Sequence, residues 1–338
     1  MKKAVILGER RAALVDVADP QPVENWAVVK VRAAPMCVEY KAFVAGQPAQ
    51  FLGHEAAGEV VAVAQPCKVK PGDRVVVMPL AGCGRCALCL AGDYIHCQRM
   101  PSLEQMTGSP EGSATYAQYL LKQDWLLMPI PDDVSYERAS LACCALGPSF
   151  GAFQTMRVGA FDTVLITGLG PVGLGAIVNA RYRGARVIAV DAIPYRADIA
   201  AKMGAVVVLD PRASDVLDRI LELTGGRGVD CALDCSGNPQ AERLCIDAAR
   251  RKGQVAFVGE CQDALSIRIS PDMIRKGLTI LGSWHCNLND FARIMQVIQH
   301  SPLLDLLVSH VLPMSDIQAA FELSASHQTA KVILKPWE

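Results

Sequence analysis

A glycine-punctuated turn in the middle of the chain restricts the fold more than any other feature of the sequence. The apolar run TVLIT, which ends at Thr167, leads into GLGPVG and then into a segment long enough for a helix. Gly168 permits a tight turn, Gly170 lets the backbone approach a ligand, and Gly173 lets the helix pack against the strand. A strand, turn and helix joined in this way predict a dinucleotide-binding unit with the pyrophosphate at the helix N-terminus.

The residues that follow refine the predicted cofactor site. Pro171 and Val172 complete the turn and open the helix, so we include them among the cofactor-binding residues. Asp191 closes the next strand, RVIAVD, at roughly the 20-residue separation expected for a ribose-binding carboxylate. Such a carboxylate favours NAD because it repels a 2′-phosphate, although Arg196 nearby leaves an opening for NADP. The alternative is that Asp191 is only a solvated residue at the end of a strand.

The wider pattern divides the chain into two kinds of structure. Short β segments separated by turns fill the first third, whereas apolar strands alternate with helix-length segments from residue 163 onward. That alternation is typical of βαβ units and a parallel sheet, and 338 residues are enough for two cores. We predict an α/β fold with a doubly wound parallel (Rossmann) domain beside a mainly β catalytic domain. The expected ranges are 1–145 for the catalytic domain, 146–281 for the NAD-binding domain and 282–338 for a return to the catalytic domain.

Four closely spaced cysteines predict a metal site. They lie in GCGRCALCLAGDYIHC, with two residues between each of the first three and seven before the last. Thiolates at this spacing can surround one tetrahedral Zn²⁺, and four sulfurs leave no position open for substrate. We therefore predict a structural zinc in a lobe spanning residues 83–97. Its ligands are Cys83, Cys86, Cys89 and Cys97.

Composition excludes several classes of partner. A formal net charge of −1 and a pI near 6.6 provide no basic surface for nucleic acid. The N-terminal apolar stretch is too short for a signal peptide, and glycines and a proline interrupt the longest apolar stretch, so no membrane span is expected. We predict a soluble cytoplasmic protein whose thirteen cysteines stay reduced and are available as metal ligands.

Three motifs together resemble a known family. GHEAAGEV at 53–60, the cysteine lobe at 83–97 and GLGPVG at 168–173 occur in the order found in the zinc-containing medium-chain dehydrogenases. These include alcohol, sorbitol and threonine dehydrogenases. The resemblance implies a GroES-like catalytic domain, a second, catalytic zinc, NAD as hydride acceptor, a small-molecule alcohol substrate and a homodimer or homotetramer.

The resemblance also implies the ligands of the catalytic zinc. Family members take one ligand from a cysteine before the GHE motif, one from the histidine of that motif, and one from a residue shortly before the dinucleotide fold. These positions correspond to Cys37, His54 and Cys144, and the spacing favours Cys144 over its neighbour Cys143. Glu55 is carried over as an accessory residue near the zinc. The expectation is therefore two zinc ions per chain.

One segment departs from the family pattern. After the first cysteine the family usually has Gly, then Ser or Thr, then Asp, whereas this chain has Val38, Glu39 and Tyr40. Glu39 thus replaces the hydroxyl that relays the substrate proton, and Tyr40 replaces the Asp that supports the histidine. Several roles are open to Glu39: general base, fourth zinc ligand, action through a water molecule, or a purely structural contact away from the zinc.

The expected reaction is hydride transfer between a secondary alcohol and NAD. By analogy with sorbitol and threonine dehydrogenases, polyols, sugars, cyclitols or amino alcohols are the candidate substrates. Trp284 and His285 could line the substrate pocket or pack at a subunit contact. Two alternatives are a zinc-free reductase relative, which should lack the cysteine lobe and the GHE histidine, and a non-catalytic protein of the same fold.

Overall fold

The computed structural model describes residues 1–338 and divides into two compact units. The first unit comprises Met1–Cys143, Asn287–His300 and Val308–Glu338. The second comprises Cys144–Cys286 and Ser301–Leu307. Each unit has its own sheets and is described separately.

The first unit is built mainly of strands. A seven-stranded sheet has the order β14-β15-β3-β4-β5-β7, with β6 paired to β3, and β1 and β2 form a separate antiparallel pair. All pairs are antiparallel except β14 with β15. The strands are β1 Lys2–Gly8, β2 Arg11–Asp16, β3 Trp26–Pro35, β4 Ala56–Ala62, β5 Arg74–Val77, β6 Tyr119–Gln123, β7 Leu127–Pro129, β14 Val308–Pro313 and β15 Lys331–Lys335.

Short helices connect these strands. The helices of the first unit are α1 Tyr40–Val44, α2 Ala87–Leu90, α3 Leu103–Thr107, α4 Tyr136–Ser140, α10 Phe291–His300 and α12 Ile317–Ala325. The core of this unit contains aliphatic residues from β3, β4 and β5 together with Phe43, Tyr116 and Phe321. The rings of Phe43 and Phe321 stack with centroids 5.1 Å apart. Burial of this face therefore fixes α1 and α12 beside the sheet.

The second unit is a doubly wound parallel sheet. Its six strands have the order β10-β9-β8-β11-β12-β13, and every neighbouring pair is parallel. The strands are β8 Thr163–Thr167, β9 Arg186–Val190, β10 Val207–Leu209, β11 Val229–Asp234, β12 Ala249–Phe257 and β13 Thr279–Gly282. The helices are α5 Gly147–Met156, α6 Pro171–Tyr182, α7 Pro194–Lys202, α8 Val216–Leu223, α9 Pro239–Ala248 and α11 Leu304–Leu307.

The predicted fold class is confirmed by this architecture. Strand order reverses between β8 and β11, which is the arrangement that opens a ligand crevice at the carboxyl ends of the strands. In the first unit, β4 begins at Ala56, directly after the GHE motif, because Ala56 and Ala57 pair with Val77 and Val76 of β5. No helix is both long and apolar enough to span a membrane.

Candidate metal centres and cofactor site

The four lobe cysteines converge on one point in the first unit. Their sulfur atoms all lie within 4.8 Å of one another. The Sγ–Sγ distances are 3.5 Å for Cys86–Cys89, 3.9 Å for Cys83–Cys89 and 4.0 Å for Cys86–Cys97. A tetrahedral ion with Zn–S bonds near 2.3 Å separates its sulfurs by about 3.8 Å, so the donor set fits zinc in both chemistry and spacing.

Local backbone geometry brings these sulfurs together. Cys86 caps the short helix α2, and its Sγ accepts a hydrogen bond from the backbone N–H of Cys89 at 3.5 Å. The Sγ of Cys97 accepts from the N–H groups of Cys83 and Arg99. Backbone N–H groups, that of Arg85 foremost, lower the pKa of the Cys83 thiol to about 6. These donors favour the thiolate form that binds metal.

Asn287, which begins the second stretch of the first unit, holds this lobe in place. Asn287 donates to the carbonyl of Ala91 at 2.9 Å and to Asp93 Oδ1 at 2.8 Å. Gly92 has no room for a side chain, because a Cβ there would lie 2.2 Å from Asn287 Oδ1. Of the two residues singled out from the sequence, Trp284 is half-exposed and His285 is buried.

The residues predicted to form the catalytic zinc site, which are far apart in the sequence, also lie close together. Ligand atoms of Cys37, His54, Glu55 and Cys144 lie within 4.8 Å of one another. Cys37 follows β3, the pair His54 and Glu55 precedes β4, and Cys144 directly follows the first stretch of the first unit. Gly53 makes the position of the pair possible: it has a φ of +83°, and a Cβ on it would lie 2.3 Å from a Thr115 oxygen.

The two neighbouring cysteines have different surroundings. Cys144 belongs to the cluster of ligand atoms, whereas Cys143 is fully buried and its Sγ donates to the carbonyl oxygen of Val77 at 3.5 Å. Two thiols, an imidazole and a carboxylate form a donor set suited to Zn²⁺.

Two carboxylates control the charge around His54. The Nδ1 atom of His54 lies 2.8 Å from Glu39 Oε1, and its Nε2 lies 4.0 Å from Glu55 Oε1. Burial lowers the pKa of His54, but hydrogen bonds to Cys37 and Glu39 and the charges of both carboxylates raise it to about 11. Burial raises the pKa of Glu39, but contact with His54 lowers it overall. The two carboxylates therefore make the imidazole more basic.

Glu55 has a buried cationic partner. Lys331 Nζ on β15 donates to Glu55 Oε1 at 2.6 Å, and neither side chain is exposed. Burial raises the pKa of Glu55 to about 7, and the charge of Lys331 limits that rise. The pair links the GHE segment to the C-terminal strand.

The glycine turn has the expected form in the second unit. Gly168 has a φ of +80°, and Gly170 is the N-cap of α6, which begins at Pro171 and continues with Val172. A Cβ on Gly173 would lie 1.8 Å from the carbonyl oxygen of Gly168, whereas a Cβ on Gly170 would meet only Arg196 Nη1 at 4.0 Å. The turn therefore has no space for a side chain at Gly173, whereas it has space for one at Gly170.

Asp191 lies beside this turn. Its Oδ2 accepts from the N–H of Leu169 at 2.5 Å and its Oδ1 accepts from the N–H of Ile193 at 2.8 Å. The carboxylate is therefore held at the carboxyl end of β9 next to the phosphate-binding turn.

Comparison with known proteins identifies the family. The model of the alcohol dehydrogenase GroES-like domain matches residues 23–132, and the zinc-binding dehydrogenase model matches residues 171–300. The sorbitol dehydrogenase of Bacillus subtilis (strain 168) is 34% identical over 271 residues, covering 77% of this chain and 75% of that protein. The chain belongs to the zinc-containing medium-chain dehydrogenases.

Two further comparisons extend over nearly the whole length of this dehydrogenase. The L-threonine 3-dehydrogenase of Symbiobacterium thermophilum is 31% identical over 342 residues, covering 96% of this chain and 94% of that protein. The solved structure of the alcohol dehydrogenase from Thermus sp. ATN1 has a TM-score of 0.89 at 27% identity and covers 99% of both chains. The predicted family and the GroES-like domain are confirmed.

Two residues near the catalytic candidates were not singled out from the sequence. Tyr116 contacts Cys37 and Glu39, and Lys331 contacts Glu55. A lysine among apolar residues in KVILKP is a weak signal for a buried ion pair. No sequence signal marks Tyr116, because its contacts join segments far apart in the chain.

Proposed function

We propose that this dehydrogenase binds two zinc ions per chain and transfers a hydride between a secondary alcohol and NAD. The observation that carries the proposal is the cluster of ligand atoms from Cys37, His54, Glu55 and Cys144, within 4.8 Å of one another. The first unit has a separate four-cysteine cluster, so we assign the structural zinc to that cluster and the catalytic zinc to this second donor set.

Cys37, His54 and Cys144 are the proposed ligands of the catalytic zinc, with Glu55 accessory to them. Three protein ligands leave a position open for substrate or water. Zinc bound there supplies a Lewis acid that polarises the alcohol oxygen. Lys331 lies beside Glu55 and offsets the charge of this accessory carboxyl group when the group is ionised.

Cys83, Cys86, Cys89 and Cys97 are the proposed ligands of a structural zinc. Their sulfurs form a closed shell, which leaves no position for a substrate. The contacts of Asn287 with Ala91 and Asp93 hold this lobe to the segment that leads into α10. The proposed role is therefore to order the lobe and that segment.

NAD is the proposed hydride acceptor. Gly168, Gly170, Pro171, Val172 and Gly173 form the phosphate-binding turn, and the N–H groups at the start of α6 would face the pyrophosphate. Asp191 is the proposed acceptor for the ribose hydroxyls, and its charge disfavours a 2′-phosphate. Arg196 is proposed as an additional contact because its guanidinium approaches Gly170.

The relatives support a class of substrate, and the thiol ligands support a cellular compartment. Sorbitol and threonine dehydrogenases are among them, so polyols, sugars, cyclitols and amino alcohols are the proposed substrates. We assign 1–145 and 282–338 to catalysis and 146–281 to NAD binding. Thiol ligands require a reducing compartment, which supports the cytoplasm.

A homodimer or homotetramer is the proposed assembly. β13 is the terminal strand of the parallel sheet, and a terminal strand presents unpaired backbone groups. Ile269 and Ile274, in the segment before β13, are 60% and 69% exposed. A terminal strand and exposed isoleucines in the preceding segment support pairing with a second copy of the chain.

Metal analysis combined with an NAD-reduction screen tests the function. Two zincs per chain and NADH formation with a polyol, sugar, cyclitol or amino alcohol are expected, with weaker activity when NADP replaces NAD. Cys37→Ala and His54→Ala should lose one zinc and turnover while retaining NADH binding, whereas Cys143→Ala should keep both zincs. One zinc and no turnover would favour a non-catalytic protein, and no zinc would favour a reductase-type relative.

A further inference from the structure

We propose that Glu39 is a positioning residue that holds two zinc ligands, Cys37 and His54, through its two carboxylate oxygens. This inference rests on the proposed catalytic zinc and concerns the segment in which the chain departs from its family. Glu39 neither binds the zinc nor relays the substrate proton, which is the role of the family's hydroxyl at this position. It supports the histidine from a position one residue earlier than the aspartate of the family does.

The first oxygen of the carboxylate determines which nitrogen of His54 is available. Glu39 Oε1 lies 2.8 Å from His54 Nδ1. A carboxylate that accepts the Nδ1–H of a histidine fixes the tautomer and leaves Nε2 to bind metal. The Nε2 atom of His54 is the one on the side of Glu55, another member of the ligand cluster. Glu39 therefore orients the imidazole toward the proposed zinc.

The second oxygen holds the cysteine ligand through its backbone. Glu39 Oε2 accepts from the N–H of Cys37 at 3.2 Å and from the hydroxyl of Tyr116 at 2.9 Å. The Tyr116 hydroxyl oxygen also lies 3.2 Å from the Cys37 nitrogen, and the tyrosine is fully buried. One side chain thus connects two ligands that are 17 residues apart in the chain, and a buried phenol keeps that side chain in place.

The neighbouring residue explains why the carboxylate comes from position 39. The ring of Tyr40 packs against the apolar core of the first unit, and its centroid lies 5.8 Å from that of His327. Position 40 therefore presents an aromatic ring to the core and no carboxylate to His54. Glu39 is the N-cap of α1, and its longer side chain spans the distance to the imidazole.

The same contacts argue against a general base or a fourth ligand at this position. Three donors already occupy the two oxygens, and the side chain is only 11% exposed. A general base at this position would weaken its hydrogen bonds to His54 and Cys37 each time it took up the substrate proton, and a zinc ion bound to Glu39 would compete with these donors for the same oxygens. The substrate proton therefore leaves by a route that does not include Glu39.

Metal affinity of the zinc-loaded full chain tests this inference. The variants are Glu39→Gln, Glu39→Asp and Tyr116→Phe, and the matched control is Glu137→Gln, whose carboxylate pairs with Lys335 outside the cluster. Gln can accept at only one of its two terminal atoms, and Asp is one methylene too short to reach both ligands. Competition with a chromophoric chelator gives the affinity of each site, and the four-cysteine lobe serves as an internal reference.

We expect the proposed catalytic site to bind zinc roughly 10- to 100-fold more weakly in Glu39→Gln and Glu39→Asp than in the wild type. Tyr116→Phe should shift it in the same direction by less, and the lobe zinc and Glu137→Gln should be unchanged. Cobalt substituted at the second site should show a changed visible spectrum in the Glu39 variants. Such a change reports ligand geometry, which a loss of stability alone would not alter.

Two other outcomes are distinguishable. Unchanged second-site affinity and cobalt spectrum in both Glu39 variants would overturn the inference, as would loss of one limb of the pH–rate profile without loss of zinc, which identifies a general base. A wild-type protein that binds zinc only in the lobe would instead overturn the proposed function. Should a Glu39 variant fail to fold, Tyr116→Phe gives the same test through the intact carboxylate.

Discussion

We expect alanine at Gly173 to destabilise the fold and alanine at Gly170 to weaken NADH binding, although both residues lie in the same turn. Both glycines belong to GLGPVG, but their surroundings differ sharply. A Cβ at position 173 would lie 1.8 Å from the Gly168 carbonyl oxygen, and the helix must retreat by more than 1 Å to reach ordinary contact. Overpacking of this kind costs about 1–3 kcal/mol of unfolding free energy.

Position 170 has space for a methyl group. Its nearest neighbour would be Arg196 Nη1 at 4.0 Å, and its φ of −64° suits alanine. Gly170→Ala should therefore change the unfolding free energy by less than about 0.5 kcal/mol, as expected for a site without packing conflict. The methyl group would instead occupy the approach of the pyrophosphate. Loss of one charge-assisted hydrogen bond, about 1.5–3 kcal/mol, corresponds to a roughly 10- to 150-fold weaker NADH complex.

Urea unfolding without cofactor and fluorescence titration with NADH measure the two effects. The control is Gly159→Ala in the same unit, where a Cβ would have no neighbour within 4 Å, and it should match the wild type in both assays. Equal loss of stability in both turn variants would refute the assignment of separate roles. So would a Gly173→Ala protein with wild-type stability, or unchanged NADH affinity in Gly170→Ala.

Two further predictions concern buried lysines. Burial lowers the pKa of Lys122 to about 7 from 10.5, so the folded state binds fewer protons than the unfolded state between these values. Wild-type stability relative to Lys122→Met should therefore rise by up to ~1.4 kcal/mol per pH unit above pH 7, and a flat difference in urea unfolding would contradict this. Lys331→Met should cost about 3–5 kcal/mol because it removes the buried cationic partner of the fully buried Glu55 carboxylate, and Glu55→Gln in the same chain should recover part of the loss. Lys335→Met on the same strand, whose ion pair is partly exposed, should cost less than about 1 kcal/mol, and equal losses in the two lysine variants would refute the difference.

Contiguous features could be interpreted without the structure. The turn around Gly168 and the four lobe cysteines each lie within a short stretch, where local backbone geometry brings the groups together. The parallel sheet was predictable because apolar strands alternate with helix-length segments. The motif predicts different roles for Gly170 and Gly173. The structure adds the distances from a Cβ at each position to its nearest neighbour, and these distances set the size of each expected effect.

The dispersed site depended on tertiary structure. Cys37, His54 and Cys144 could be selected only by resemblance, since nothing in their spacing makes them neighbours. The sequence raised the question of Glu39 but left its role open, because the answer depends on which donors meet its two oxygens. Folding places Tyr116 and His54 on opposite oxygens of that carboxylate, so side-chain contacts between distant segments decide what a single substituted residue does.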